Sequence, residues 1–348
     1  MASSPGTWIA TVLLMRGLLA GFPAAASVDA GDMLMMDRFR QWQAAHNRSY
    51  LSAEERLRRF QVYRDNVEFI DATNRRGDLS YELGENQFAD LIHQEFLARY
   101  ASSFDARNRT GSVITTTTHG SGDAQDSSLE VPPPVSIDWR AKGAVTPARN
   151  QGSECASCYA FATVATIEGL YWIKTGKLVP LSEQQLVDCD QYDGGCNRGH
   201  YSRAMKWVVE NGGLTTAAEY PYKAAKGSCK PAKPAVTISA HHAVMPGNEI
   251  SLRIGVARQP IGVAIEIGST FRFYKSGIYS GPCGTNLDHA VTAVGYGVDP
   301  STGTKYWIVK NSWGQTWGED GFVRMVKDIG SPGICGITLD TIFPLMAM

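Results

Sequence analysis

The chain has 348 residues, of which 43% are hydrophobic and 19% charged, a composition that argues against disorder and predicts a sizeable buried core. The formal net charge of −1 at pH 7 gives no indication of a nucleic-acid partner. No apolar run reaches the roughly 18 residues that a membrane-spanning helix requires. We therefore expect a folded protein without a membrane span, and a monomer.

The N-terminal residues have the pattern of a secretory signal. Residues 8–20 are apolar apart from Thr11 and Arg16, and small residues follow at 24–27. This order predicts a signal peptide over residues 1–26 and entry into the secretory pathway, with an extracellular or a vacuolar or lysosomal destination. A buried N-terminal helix remains the alternative, because Arg16 interrupts the apolar run.

A helical segment and a linker are predicted to follow. Within residues 33–100, apolar residues recur at steps of three or four, the spacing of one helix face. They are Leu57, Phe60, Tyr63, Val67 and Ile70. Residues 101–130 are rich in Ser, Thr, Gly and Asn and cannot bury enough apolar surface to order themselves. We expect a flexible, cleavable linker there, with a plain interdomain tether as the alternative.

Charge is distributed unevenly along the chain. Residues 27–130 contain 12 Arg, no Lys and 17 acidic residues, a balance of −5, whereas 20 basic and 17 acidic residues from 131 onwards give +3. The two parts can attract each other, although the imbalance is modest. Both N-glycosylation sequons begin in the acidic part, at Asn47 and Asn108.

Residues 131–348 are predicted to form a domain of the α+β class. Helical patterns come first, and strand patterns separated by Gly-rich turns follow. The predicted helices are Cys158–Lys174, Ser182–Val187 and Tyr201–Val209, and the predicted strands are Gly262–Ile267, Ala290–Tyr296, Tyr306–Lys310 and Gly321–Met325. A helical half followed by a sheet half indicates a cleft between the two.

The chain has seven cysteines, an odd number for a secreted protein. If six form disulfides, the seventh is an intermolecular link or a nucleophile. Cys158 lies at the start of a predicted helix, where the helix N-terminus lowers the pKa of a thiol. His289 and Asn311 follow it after about 130 and 150 residues. A thiol hydrolase needs such an imidazole, and a third group that orients it.

Four blocks around these residues resemble the papain family of cysteine proteases in its plant-like members. They are Gln151-Gly-Ser153, Cys155-Ala-Ser-Cys158-Tyr159, Leu287-Asp-His289-Ala290 and Asn311-Ser-Trp313-Gly314. The segment before the linker resembles the family's prosegment. Its interspersed helical motif corresponds to Glu55, Arg59, Tyr63, Asn66, Ile70 and Asn74, and a second motif to Gly84–Asp90.

The resemblance implies a preproenzyme. Residues 27–130 would be the inhibitory propeptide. Residues 131–348 would be a papain-like peptidase domain, built from a helical left domain and a β-barrel-like right domain. The implied activity is that of a cysteine endopeptidase on protein and peptide substrates, with its own propeptide and cystatin-type proteins as inhibitors, and with no metal or organic cofactor. We expect acid to loosen the propeptide as Asp90 and Glu55 become protonated.

The same resemblance implies a role for each catalytic position. Cys158 is the implied nucleophile, His289 its general base and acid, and Asn311 the group that orients His289. Gln151, together with the backbone N–H of Cys158, would stabilise the oxyanion. Trp313 would shield the bond between Asn311 and His289 from water.

The resemblance also assigns the disulfides and the substrate cleft. The implied pairs are Cys155–Cys196, Cys189–Cys229 and Cys283–Cys335, which leave Cys158 free, whereas the cysteines alone also allow a Cys155–Cys158 redox dithiol. Gly199 corresponds to the position that pairs with the substrate backbone. The pocket for the residue two before the scissile bond corresponds to His200, Tyr201, Ala264, Leu287, Ala290 and Asp340, with Asp288 and Trp313 also in the cleft. A carboxylate at Asp340 implies that this pocket accepts Arg or Lys beside apolar residues.

The loop before the nucleophile departs from the family pattern. Three residues separate Gln151 from Cys155 where the family has two, and the extra residue is Glu154. We expect the loop to bulge so that Glu154 points outward and Gln151 keeps its place. The alternative is a catalytically weakened protein with this fold that serves binding, storage or defence.

Overall fold

The computed structural model describes residues 30–102, 112–113 and 132–347. The predicted signal peptide, the sequon at Asn108 and most of the predicted linker lie outside these residues. In the N-terminal part, the elements are α1 (Ala30–Ala45), α2 (Ala53–Arg75), β1 (Tyr81–Leu83) and α3 (His93–Tyr100). We call residues 30–102 the prosegment.

Helix α2 has the buried apolar face that the spacing predicts, except in its first turn. The helix begins at Ser52, whose side chain accepts a hydrogen bond from the backbone N–H of Glu55. Its buried apolar residues are Phe60, Tyr63, Val67 and Ile70. Leu57, predicted on the same face, is 64% exposed, so that assignment is wrong. The buried residue near this turn is Arg59, which forms ion pairs with Glu55 and Glu95.

The predicted helical segment 33–100 is mostly helical, but residues 76–92 in its middle are not. Residues 76–92 contain strand β1, turns and extended chain. The cause is non-local: this stretch forms hydrogen bonds with the domain that follows it. The side chain of Asn86 donates to the carbonyl of Arg272 at 2.7 Å, and that of Gln87 donates to the carbonyl of Trp313 at 2.8 Å.

Among the remaining elements, the three predicted helices precede the four predicted strands, as expected, although further strands lie before and between them. The remaining elements are β2 (Ser112–Val113), β3 (Ile137–Asp138), α4 (Cys158–Thr175), α5 (Glu183–Cys189), α6 (Tyr201–Glu210), β4 (Ala240–Ala243), α7 (Glu249–Arg258), β5 (Ile261–Ile265), β6 (Tyr274–Tyr279), β7 (His289–Val298), β8 (Lys305–Lys310), β9 (Phe322–Val326) and β10 (Thr341–Leu345). Helix α4 ends at Gly176, whose φ of 71° is the left-handed conformation of a C-cap glycine. Elements β2, β3, β4, β6, α7 and β10 have no counterpart among the predicted ones.

The mixed helix-and-sheet fold is the one expected, although the sheet does not close into a barrel among the described residues. Its strand order is β1-β6-β9-β8-β7-β5-β10-β4-β2, with β3 added on β7. Both edge strands precede residue 132: β1 pairs antiparallel with β6, and β2 pairs parallel with β4. The two edges are therefore covered by chain from the N-terminal part rather than joined to each other.

Helix α4 occupies the centre of the molecule. Residues 158–170 are buried, because the helix packs against β5, β7 and β10 as well as α5 and α6. This packing brings Cys158, the first residue of α4, towards His289, the first residue of β7. One hydrophobic core contains side chains of both the prosegment and the sheet, and it includes Phe88, Phe96 and Trp313. Among the described residues, no helix is long and apolar enough to cross a bilayer.

Candidate functional site

Cys158 is the one cysteine of the described residues that forms no disulfide. The structure pairs Cys155 with Cys196, Cys189 with Cys229 and Cys283 with Cys335, the pairs that the resemblance implies. A Cys155–Cys158 dithiol is thereby excluded. The thiol of Cys158 is fully buried, and burial raises its pKa to about 12, in spite of its place at the N-terminus of α4.

His289 has one hydrogen-bond partner that fixes its orientation. Its Nε2 lies 2.8 Å from Oδ1 of Asn311. Asn311 follows directly after β8, whose last residue, Lys310, pairs with Thr292 of β7. This pairing keeps Asn311 close to the start of β7. Since Oδ1 can only accept, Nε2 carries the proton and donates it in this bond. Nδ1 of His289 is then the basic nitrogen, and it has no hydrogen-bond partner among the described residues.

Trp313 covers this pair. Its ring stacks on the imidazole of His289 with the centroids 4.8 Å apart and the planes at 24°. Both side chains are fully buried, and burial lowers the pKa of His289 to about 4. In this form of the protein, the thiol of Cys158 and the imidazole are both held neutral.

Gln151 lies near the start of α4, where Cys158 is, in spite of the longer loop. Its backbone N–H donates to the carbonyl of Ser312 at 2.8 Å, and its Oε1 accepts from Oγ of Ser312 at 2.7 Å. Its Nε2 is thereby directed towards the start of α4, 3.4 Å from the carbonyl oxygen of Cys155. Gln151 is fully buried, whereas Glu154 is exposed. Gly152, with a φ of 77°, provides the left-handed turn that this loop requires.

Ser312 is a positioning residue that sequence reasoning missed. It connects the two sides of the site, because it fixes the amide of Gln151 through Oγ and donates its N–H to Oδ1 of Asn311 at 2.8 Å. The signal was present, since Ser312 lies inside the block that contains Asn311. Only the fold reveals that its hydroxyl reaches Gln151, 161 positions earlier.

The apolar residues of the predicted pocket are brought together in the hydrophobic cluster that contains Cys158. The carboxylate of Asp340 accepts a hydrogen bond from the hydroxyl of Tyr201 at 2.9 Å and lies 3.1 Å from Nε2 of His200. Asp340 and both partners are nearly completely buried, as are Ala264 and Ala290. Leu287 is half-buried.

The predicted cleft residues Gly199 and Asp288 lie in different surroundings, Gly199 against an aromatic ring and Asp288 beside the prosegment. Gly199 has no room for a side chain, because an added Cβ would lie 2.7 Å from the ring of Tyr159. Asp288 is partly buried, and burial raises the pKa of its carboxyl to about 7. The carbonyl of Asp288 accepts a hydrogen bond from the backbone N–H of Ser102, the last residue of the prosegment.

The prosegment lies over the site through an aromatic cluster. The rings of Phe88, Phe96 and Tyr100 meet the ring of Trp313 edge to face, with centroids 5.4, 5.2 and 6.3 Å away. The contact by Ser102 continues the cover to the neighbour of His289. The prosegment therefore covers the outer side of Trp313 and contacts the residue before His289.

The titratable groups do not suggest a metal centre. Among the described residues, no three His, Cys, Asp or Glu side chains are grouped so that they could hold a metal ion. The chemistry available at this site is that of a thiol, an imidazole and hydrogen-bond donors.

Comparison with known proteins gives the same assignment for both parts of the chain. The family profile of the papain family cysteine protease matches residues 133–345, and that of the cathepsin propeptide inhibitor domain (I29) matches residues 39–96. Ananain from Ananas comosus is 42% identical over 328 residues, which cover 93% of this chain and 92% of ananain. The senescence-specific cysteine protease SAG39 from Oryza sativa subsp. indica is 44% identical over 92% of this chain and 93% of its own length.

Solved structures of proforms are also similar. A recombinant stem bromelain precursor is 44% identical, with a TM-score of 0.81 over 90% of this chain and 100% of the other. The proform of Amb a 11, a cysteine protease and major ragweed pollen allergen, is 37% identical, with a TM-score of 0.79 over 90% of this chain and 95% of the other.

Proposed function

This chain belongs to the papain family of cysteine proteases, and from that premise we propose that Cys158, His289, Asn311 and Gln151 carry its peptide-bond hydrolysis. The chain is a zymogen with an I29-type inhibitory propeptide. One observation carries the assignment of roles. The imidazole of His289, held by Asn311 under Trp313, belongs to the first residue of β7, beside the helix that begins with the unpaired Cys158.

Removal of the prosegment is the step that would activate the site. Water then reaches Cys158 and His289, the desolvation that opposes both charges is relieved, and the proton moves from the thiol to Nδ1 of His289. The product is a thiolate–imidazolium pair at the N-terminus of α4. Asn311 keeps Nε2 engaged, so that Nδ1 is the nitrogen that exchanges protons.

The reaction proceeds through an acyl-enzyme in this proposal. The thiolate of Cys158 attacks the scissile carbonyl carbon, and the resulting oxyanion accepts hydrogen bonds from Nε2 of Gln151 and the backbone N–H of Cys158. The imidazolium of His289 gives its Nδ1 proton to the leaving amine as the C–N bond breaks. A water molecule then gives a proton to Nδ1 and attacks the thioester, and the C–S bond breaks to release the acid.

The cleft assignments and the chain boundaries belong to the same proposal. Gly199 would pair with the substrate backbone, and the pocket that ends at Asp340 would take the side chain two before the scissile bond. We assign residues 1–26 to the signal peptide, 27–130 to the propeptide and 131–348 to the peptidase. Destination in the secretory pathway would be extracellular or vacuolar/lysosomal, as is typical of the family. Asn47 is exposed in the turn after α1 and is available for glycosylation.

Two variants test together whether Gln151 stabilises the oxyanion and whether the extra residue in its loop leaves the rate unchanged. We expect Gln151→Ala to lower kcat of the matured protein on internally quenched peptides by roughly 10²–10³, the usual effect of losing one oxyanion donor. Glu154→Ala is the matched control from the same loop. We expect it to stay within about twofold of the native rate, because the Glu154 side chain is exposed.

Two outcomes would contradict this part of the proposal. A matured protein that hydrolyses no peptide would leave the catalytically weakened protein as the better account. Equal losses in the Gln151 and Glu154 variants would show that the loop, rather than the amide, sets the rate. Cys158→Ala gives the background rate in both cases.

The pocket prediction concerns Asp340. Its carboxylate oxygens already accept from Tyr201 and contact His200, but each oxygen has a second lone pair for an incoming cation. We expect the kcat/KM ratio of a peptide with Arg over one with Leu, two before the scissile bond, to fall about tenfold in Asp340→Asn, or ~1.4 kcal/mol. An unchanged ratio in this near-isosteric variant would remove Asp340 from specificity.

A histidine of the prosegment, rather than Glu55, is expected to respond first as the pH falls. The ion pairs with Arg58 and Arg59 lower the pKa of Glu55 to about 2, so their stabilisation is lost only as pH falls from about 4.5 towards 2. Burial lowers the pKa of His93, and the guanidinium of Arg272 lowers it further. The closed proform therefore binds fewer protons at His93 than the released prosegment does. Its stability falls as pH drops below the ordinary histidine value of about 6.5.

Hydrogen exchange measures this loosening without catalysis. In a Cys158→Ser proform, we expect exchange of α3 amides, corrected for the intrinsic rate, to rise about tenfold between pH 7 and pH 5. The rise should be smaller in the same protein with His93→Gln. An equal rise in both proteins would show that His93 has no part in the response.

A further inference from the structure

Arg272 is a buried cation of the peptidase domain that has too few partners. It lies in the short turn Phe271–Phe273 between β5 and β6, and only 5% of its surface is exposed. Nη2 donates one hydrogen bond of 3.0 Å to Oδ1 of Asn66, while Nε and Nη1 have no hydrogen-bond partner in the part of the chain that the structure describes. Among residues 30–102 and 132–347, no carboxylate forms an ion pair or a hydrogen bond with Arg272. Burial accordingly lowers the pKa of its guanidinium to about 10.

Part of the cover over Arg272 comes from the prosegment. Asn66 belongs to α2, and the ring of Phe96 in α3 has its centroid 6.0 Å from the guanidinium carbon. His93, also in α3, is close enough for Arg272 to lower its pKa. From the peptidase domain, the ring of Phe273 lies under the guanidinium at 4.4 Å. Loss of the prosegment thus exposes a guanidinium that already rests on an aromatic ring.

The position of Arg272 along the chain places it on one side of the reacting bond. In β5, Ala264 donates its N–H to the carbonyl of Asp340, and the next residue, Ile265, pairs with His289. The chain then continues past His289 to the turn that holds Arg272, where the neighbouring Phe271 contacts Trp313 with ring centroids 5.8 Å apart. Arg272 and the Asp340 pocket therefore lie on opposite sides of His289.

We infer that Arg272 determines specificity on the leaving-group side of the cleft, where it selects peptides with Asp or Glu at the first or second position after the scissile bond. This inference rests on the proposed function of the site. A carboxylate there would form the charge-assisted, bidentate hydrogen bonds that Nε and Nη1 lack in the proform.

The prosegment offers a neutral amide to this guanidinium although it is acidic overall. Its nearby carboxylates have other partners: Glu95 pairs with Arg58 and Arg59, and Glu85 pairs with Arg38. Asn66 also donates its own Nδ2 to the carbonyls of Ala89 and Leu91, which fixes Oδ1 towards Arg272. The propeptide thus covers Arg272 without forming the ion pair that a substrate carboxylate would form.

Internally quenched peptides test the inference on the matured enzyme. The set keeps Leu two before the scissile bond and places Glu, Gln or Lys at the first, second or third position after it. We expect kcat/KM for Glu to exceed that for Lys at least tenfold at the first or second position at low salt. The ratio should fall to within about twofold in Arg272→Gln and be largely kept in Arg272→Lys.

Two controls separate the possible failures. Arg258→Gln removes an exposed arginine at the end of α7, a helix that contributes no residue to the site described above, and should keep the native ratio. A dye-amide substrate, which has no residue after the scissile bond, reports hydrolysis itself. If the native enzyme fails on the dye-amide, the proposed function fails. If it cleaves the dye-amide but treats Glu and Lys peptides alike, only the inference about Arg272 fails.

A measurement on the native enzyme keeps the test decisive if Arg272→Gln does not mature. Because the selected contact is an ion pair at a solvated cleft, the Glu-to-Lys ratio should fall severalfold between about 0.05 and 0.5 M salt. A ratio that is independent of salt would contradict the role of a guanidinium charge.

Discussion

The structure depends on the contact between Trp313 and the rings on its two sides. One face of the indole stacks on His289, and the prosegment rings Phe88 and Phe96 meet it edge to face. The same side chain therefore shields the hydrogen bond between His289 and Asn311 and anchors the inhibitor. Since these rings belong to one continuous core, the prosegment cannot leave without exposing to water the indole that covers His289.

With the catalytic roles proposed above, this shared core explains how all four residues can be in place in a latent zymogen. Burial opposes charge on both partners, raising the pKa of Cys158 and lowering that of His289, so that the thiol and the imidazole stay neutral side by side. The helix N-terminus, Asn311 and the Ser312–Gln151 pair are already in place. Activation then requires hydration of the pair rather than rearrangement of the residues around it.

Local sequence patterns predicted helices α2 and α4 and pointed to the candidate site residues. The edge strand, the turns around it and the contacts of Ser312 and Arg272 depend on residues distant in sequence. Apolar spacing located α2 and α4, and the motif blocks singled out Cys158 and His289 as the candidate site residues. The edge strand β1 and the turns around it could not be predicted, because they depend on pairing with β6, some 190 residues away. The roles of Ser312 and Arg272 depend equally on the fold, since each acts on a residue more than 150 positions distant.

The most direct test is the pH dependence of Cys158 alkylation by iodoacetamide, measured on intact proform before processing and on the matured enzyme. The account predicts that the matured enzyme reacts already at pH 5–6, as a thiolate–imidazolium pair does. The proform should react at least 100-fold more slowly there and gain reactivity only towards the alkaline limit set by a thiol pKa of about 12. Equal alkylation of both forms at pH 5–6 would show that the prosegment does not hold the pair neutral, and would contradict the account.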